Sequence, residues 1–435
     1  MSAVSPALAT PTSAALISYD DQLNTFGRNV APPDTQTAVS ATRIVELVNT
    51  VGAMYDRSTM ARIGNLWDLY NFPFWVPAGY QLTDPRIIYD PINNRFVGSA
   101  TAFVPLGQPG AYNSIVYVII SNTSDPGGVW TRYTLAAPQN GTQYDQPKIG
   151  VSTDKVVISW NDYNTSKSFL GSETWVMSYT QMLANLGTVS VRSFPRDPAK
   201  FSVVPAHQLT ATAREWATYN ASSSRSSAGI ERIDGDPIAG TVTLNWNEYG
   251  WAITSVPPDA EQLGTTVTVA TGDDRALSAV YRADSVWMAT NDSCVVGTNP
   301  PRACLRLTKW NVSATPPVLV QALLVAGNGA SLYYPAVTMD GNGDTFFAYS
   351  RSSVNDYVMV QATDVLAGTP IGQLSGTTTI KVGQAPYTDA FNRWGDYSSA
   401  GPDPAADANR VWVAGEYAAA GNGSNWGTVI GQLSP

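Results

Sequence analysis

Eight residues stand where short apolar runs begin or end and have side chains able to do chemistry: Asp34, Asp84, Arg86, Asp145, His207, Arg393, Asp396 and Glu416. Two carboxylates across a polar cleft, one with a raised pKa, are what glycoside hydrolysis requires. An Asp at the start of a strand more commonly caps a turn or accepts neighbouring backbone amides, so each acid alone has a structural reading too. His207 is the only histidine. Multi-His zinc sites are thereby excluded. A lone imidazole can still act as general acid or base, or bond a backbone carbonyl from a half-buried position.

The most distinctive short stretch is "RWGDY" (Arg393–Tyr397), a guanidinium, an indole, a carboxylate and a phenol around one glycine. It reads equally as a grip on an anionic sugar, with Trp394 and Tyr397 stacking, or as an Arg393–Asp396 pair with Trp394 wedged into the core. "DGNGD" (Asp340–Asp344) spaces acids as calcium loops do, but Thr345 and Arg351 stand where an EF-hand needs Gly and Glu, so a hairpin turn is expected. No motif assigns a definite cofactor. A calcium ion on an axis or rim suits the composition, and no motif locates it. "FPFW" (Phe72–Trp75) and "WNEYGW" (Trp246–Trp251) put aromatics in turns, where they could stack on sugar rings or pack sheets together.

The elements that must position these groups recur. "DPRIIYDPINNRFVGSA" from Asp84 has relatives beginning at Asp34, Gln146, His207, Arg275, Tyr334 and Tyr397. The interval is roughly 60 residues, and each copy holds two apolar runs split by an Asp/Asn/Gly-rich turn, which reads as a hairpin. In "KVVISW" and "DTFFAY" alternate residues can face a core. "RIVELVNTVGAMYD" resembles a helix but is rich in β-branched residues and reads as strands. Radial repetition follows: an all-β fold, a single β-propeller of seven four-stranded blades, closed by pairing of N- and C-terminal strands. Residues 1–17 are expected as a flexible N-terminal segment and 18–435 as the propeller domain. Inner strands would deliver Asp84, Asp145, His207 and Asp396 to one axial mouth as catalytic groups. Arg86, Arg393, Trp394, Tyr397 and Glu416 would contact substrate there.

Composition narrows the partners. The formal net charge is −9, the sequence pI about 4.7, and no Lys/Arg run exists. Nucleic acid and anionic membrane surfaces are disfavoured, because both demand a positive face. No apolar stretch approaches the roughly 20 residues of a membrane helix. Cys294 and Cys304 bracket an Asn-Pro-Pro turn and suit a disulfide, and seven Asn-x-Ser/Thr sequons run from Asn122 and Asn140 to Asn422. A secreted, monomeric protein is expected, its leader already removed.

Several phrases resemble the secreted sialidase-like β-propellers, many of them uncharacterised exosialidases or glycoside hydrolases. They are "PPDTQTAVSATRIVELVN", "DPRIIYD" and "NRWGDYSS", together with "TSDPGGVW" (Thr123–Trp130), which is similar to the superfamily's Asp-box. "TMDGNGDTF" (Thr338–Phe346) resembles a second copy with one residue inserted. The resemblance implies a propeller acting on glycans, with Asp-boxes in structural roles on the periphery. The family's arginine triad, Tyr/Glu nucleophile pair and acid/base Asp do not map residue by residue onto this chain. The expected function is a secreted polysaccharide-acting enzyme, hydrolase or lyase; the alternative is a non-catalytic glycan- or protein-binding propeller. The repeat starts differ in chemistry, which favours one asymmetric site and hence the enzyme.

Overall fold

Alternation of Val, Ile and Trp in "KVVISWNDYN" produces the strand Lys155–Asn164, and its surroundings explain the rest of the architecture. Val156, Ile158 and Trp160 pack on one side with Val116, Val118 and Ile120; Val157 points the opposite way, to Val203, Ala217 and Ile233. Both faces of the sheet are therefore covered. Eight successive residues of this strand are buried, as stacked sheets that seal each other's faces require. Thr345–Ser353 behaves likewise, with Phe346 and Ala348 packed on Val411, Val413 and Val429. Each fully buried Val or Ile contributes on the order of 1.5–3 kcal/mol.

The computed structural model describes residues 8–9, 11–135, 141–221, 227–250, 254–405 and 408–435. Asn140 and Trp251 lie outside them. The chain divides into two compact units, residues 42–253 and residues 1–41 with 254–435. Both are all-β and stack small antiparallel sheets face to face, as propeller blades do. Among the described residues the α-helices are Tyr19–Phe26 and Tyr179–Leu183, and no helix is long and apolar enough to cross a membrane.

In residues 42–253 the meanders follow chain order. Arg43–Val48, Val51–Asp56 and Arg62–Asp68 pair antiparallel, so "RIVELVNTVGAMYD" is indeed a hairpin, turning at Asn49 and Thr50. Gln81–Asp90, Arg95–Phe103, Ser114–Ser121 and Trp130–Leu135 form the next sheet. Thr142–Val151, Lys155–Asn164, Phe169–Ser178 and Val191–Asp197 follow, then Lys200–Pro205, Glu215–Ala221, Ser227–Asp234 and Thr243–Gly250. The other unit contains the meander Ala276–Arg282, Ser285–Cys294, Arg302–Asn311 and Val318–Val325, and the sheet Ser331–Met339, Thr345–Ser353, Asp356–Val365 and Gly376–Lys381. Its last sheet runs Thr12–Ser18, Trp426–Leu433, Val411–Ala418, Ser399–Pro402.

That last order places an N-terminal strand on the C-terminal one, with Thr12 opposite Gln432 and Ser18 opposite Gly427. Most of the segment expected to be flexible up to residue 17 is thus strand where it is described. Seven separate four-stranded sheets are not found. Among the described residues five of the six sheets have four strands, the sixth is larger, and none closes on itself. One cause is local: His207–Gln208 adds in parallel to the edge of Thr142–Val151, with Val151 opposite His207, so that edge is extended beyond its meander.

Turn chemistry matches its residues. Asp125 accepts the Gly127 N–H at 3.0 Å, and the buried Trp130 donates its indole N–H to the Pro126 carbonyl at 2.9 Å. Asp340 accepts the amides of Asn342 and Asp344, each at 2.9 Å, so "DGNGD" is a hairpin turn. Cys294 and Cys304 are disulfide-bonded across adjacent strands, their Cα atoms 5.9 Å apart.

Candidate functional site

Four strands share one local device part-way along their length. Asp84, Gln146, Ser202 and Tyr334 have φ of 54°, 47°, 55° and 54°, each at a β-bulge that breaks the ladder. Non-glycine residues rarely adopt such φ, and the exposed ladder N–H needs a partner. A side-chain oxygen supplies it each time. Asn49 takes the Asp84 N–H at 2.9 Å, Asp84 the Gln146 N–H at 2.9 Å and Asn161 the Ser202 N–H at 3.1 Å. In the other unit, Asn291 takes the Tyr334 N–H at 2.7 Å, and Asp34 (φ 53°) takes the Asp396 N–H at 2.6 Å. Three first residues of the recurring phrase, Asp84, Gln146 and Tyr334, are pinned in this way.

In residues 42–253 the device becomes a filled polar network. Lys148 is buried and donates to the Gln146 side-chain oxygen at 3.3 Å and to Ser202 Oγ at 3.1 Å. Asn161 also donates to Ser202 Oγ and accepts from Ser172 Oγ. Asp84 is 4 % exposed, with its carboxylate on the Gln146 amide and the Thr83 hydroxyl. Arg86 is buried beside it, and Asp145 is half-buried next to Gln146. His207 is buried and places Nε2 2.9 Å from the Tyr89 carbonyl oxygen. That contact leaves the ring nitrogen holding backbone, the structural alternative for this residue.

In the unit of residues 1–41 and 254–435 the same position gathers acid. Arg393 Nη2 pairs with Asp396 Oδ2 at 2.8 Å, and both side chains keep solvent contact, 49% for Arg393 and 19% for Asp396. A carboxylate oxygen of Asp34 lies within 4.8 Å of one of Asp396. Behind them Glu416, on the strand Val411–Ala418, is 4 % exposed. Its carboxyl lies against the Gly395 backbone, which favours the charged form, yet neither oxygen makes a hydrogen bond of full geometry among the described residues. Burial, then the Asp34 and Asp396 carboxylates, pushes Glu416 well above the usual carboxylate range; Arg393 opposes this. Gly395 has no room for a side chain: a Cβ there would lie 2.6 Å from Glu416 Oε1. The glycine of "RWGDY" is the face on which this carboxyl rests.

Tyrosines wall the cluster. Tyr334 is held well above the ordinary phenol range by burial and by Asp396, with Asp34 and Asp273 contributing. Tyr387 and Tyr333 are raised by burial too, with Glu416 contributing to both. The sugar-stacking role expected of Trp394 and Tyr397 is corrected, because both are buried. Trp394 packs edge-on against Tyr387 at 4.8 Å and donates to Ser350 Oγ at 3.2 Å. Arg393, Asp396 and Glu416 are therefore brought together with Asp34, while Asp84, Arg86, Asp145 and His207 belong to the other unit. Sequence reading missed the tyrosines and the pinning asparagines. The "DPR", "QPK" and "YPA" tripeptides at the bulges of three strands, with "ND" pairs upstream of two of the pinned residues, were the available signal.

No family model and no curated protein matches the chain. Among solved structures, the NanB sialidase from Streptococcus pneumoniae aligns with TM-score 0.46 and 8% identity, over 90% of this chain and 82% of that one. Trypanosoma rangeli sialidase aligns with TM-score 0.41 and 8% identity, over 97% and 60%. A Synechocystis apocarotenoid oxygenase mutant gives TM-score 0.40 and 12% identity, over 80% and 74%. Two unlike enzyme names at such values carry no activity to this chain.

Proposed function

We propose that the protein is a secreted, carbohydrate-acting enzyme, a glycoside hydrolase or lyase, working at the Asp34–Arg393–Asp396–Glu416 cluster. One observation supports this above the others: an Arg-paired carboxylate that reaches solvent stands in front of a buried carboxyl whose burial and neighbouring carboxylates favour its neutral form. Acid–base chemistry on a glycosidic bond needs two carboxyl groups in opposite protonation states at one pH, and environments that push their pKa values apart provide it. Asp396 is the group placed to accept or deliver a proton at the substrate. The half-exposed guanidinium of Arg393 fits the carboxylate of an anionic sugar. Glu416 acts through its neighbours, since it is covered by Gly395. The disulfide agrees with an oxidising compartment.

The test is a panel of neutral and anionic polysaccharides with product analysis, run on the wild type and on Asp396→Asn. The expected result is cleavage of at least one anionic glycan, lost by about 10³-fold in a variant that still folds, the scale of removing an acid–base group. Binding without cleavage across the panel would favour the glycan-binding alternative.

A further inference from the structure

We infer that residues 67–75, braced by Arg132, form a second, non-catalytic site that binds the apolar face of a pyranose ring in a glycan chain. Three partly exposed rings run in a row: Trp67 meets Phe72 edge-on at 5.2 Å, and Phe72 meets Trp75 at 6.0 Å. Trp75 ends the row with 45% of its surface in water and φ at 47°. A bulky residue in that conformation is strained, and strain persists only where the surroundings impose it.

Here the brace is visible. Arg132 Nη1 donates to the Phe74 carbonyl at 2.8 Å and the Trp75 carbonyl at 2.7 Å, fixing both sides of the strained residue. Its guanidinium stands 5.9 Å from the Trp75 ring centroid and 5.4 Å from that of Tyr117. Phe74, fully buried against Tyr117, anchors the segment from below. Core packing does not account for the arrangement. The residue that bears the strain leaves nearly half its surface in water, and the buried Phe74 already supplies the anchor. What the brace accomplishes is to hold an indole outward beside two further rings. Rigid aromatic faces of this kind take the C–H face of a sugar ring at little entropic cost, and the adjacent cation polarises the stack.

The site lies wholly within residues 42–253 and requires nothing of Arg393, Asp396 or Glu416, so the two readings fail separately. The probe is affinity electrophoresis of the full chain through native gels containing hydroxyethyl cellulose, xylan, galactomannan or alginate. Wild type should be retarded in at least one gel. Trp75→Ala should weaken that retardation at least tenfold, and Trp75→Phe should restore part of it. Trp75→Gly adopts the same φ freely, so it should melt no lower than wild type while losing retardation. Equal retardation of wild type and Trp75→Ala, or no retardation of wild type in any gel, overturns the proposal. A Trp75→Gly variant that melts lower than wild type also overturns it, since the indole would then be serving the fold.

Discussion

Two buried glutamates, each lying on a glycine, separate the two units chemically. In residues 42–253 Glu215 lies against Gly150, and in the other unit Glu416 lies against Gly395. Burial pushes both carboxyls well above the usual range. The opposing influences differ. Glu215 has Lys155 nearby and the Trp216 and Ala206 amides, all favouring its charged form, with the Asp154 carboxylate as the smallest influence and favouring the neutral one. Glu416 has two carboxylates before it, which favour its neutral form further, and only Arg393 and one backbone amide against them. A buried acid can thus be part of the scaffold or part of a proton inventory. Its nearest charges decide which.

Breaking the scaffold should cost most where backbone cannot yield. A Cβ on Gly150 would meet the Ala206 carbonyl oxygen at 2.6 Å and Pro205 Cβ at 2.7 Å before it met Glu215. Gly150→Ala should therefore lose about 3 kcal/mol or more in a denaturant titration, the upper part of the overpacking range. Next come the pinning asparagines. Asn161→Ala removes one of two acceptors of the buried Ser202 amide and leaves Ser172 Oγ at 3.1 Å, whereas Asn291→Ala takes away the Asn291 acceptor of the Tyr334 amide and frees the Thr271 and Asp273 carbonyls. Asn291→Ala should cost about 2 kcal/mol, and Asn161→Ala less, because Ser172 keeps the Ser202 amide paired. Equal losses in a denaturant titration would show that the Ser172 contact contributes nothing.

Gly395→Ala is the sharper probe of the acidic region. Its clash is with the end of a side chain, so stability should fall by only about 1 kcal/mol. Turnover should fall far more, since Glu416 must leave its position. The smallest effect separates the glutamates by pH. A carboxyl raised in the fold stabilises fully below its unfolded pKa, and that contribution is lost as pH rises through its folded value. Glutamine stays neutral throughout. Relative to wild type, Glu416→Gln should therefore gain melting temperature between pH 5 and pH 9, and Glu215→Gln should gain less because Lys155 compensates.

Much of the scaffold was legible. The hairpin phrase, the terminal strand pairing, the Asp340 turn and the cysteine pair all rest on neighbours close in sequence or on a repeat. The count of sheets failed because a two-residue strand at His207 could extend an edge that no periodicity marks. The roles of Trp394 and Tyr397 failed because exposure depends on what other elements cover. The acidic cluster was half legible. Arg393 and Asp396 stand three residues apart, but the state of Glu416 depends on Asp34, brought from the far end of the chain by folding. In sequence Gly395 is simply the one glycine of "RWGDY", and its use as a contact face appears only when the Val411–Ala418 strand is in place.

The central claim is that Glu416 is neutral at the pH where the Arg393–Asp396 pair is formed. An isotope-edited infrared difference spectrum, wild type minus Glu416→Gln with labelled glutamate carboxyls, reads that proton directly across a pH titration. A protonated carboxyl band assigned to Glu416 that persists through pH 7 is the predicted result. A band that disappears near pH 4.5, as for an ordinary glutamate, would contradict the account.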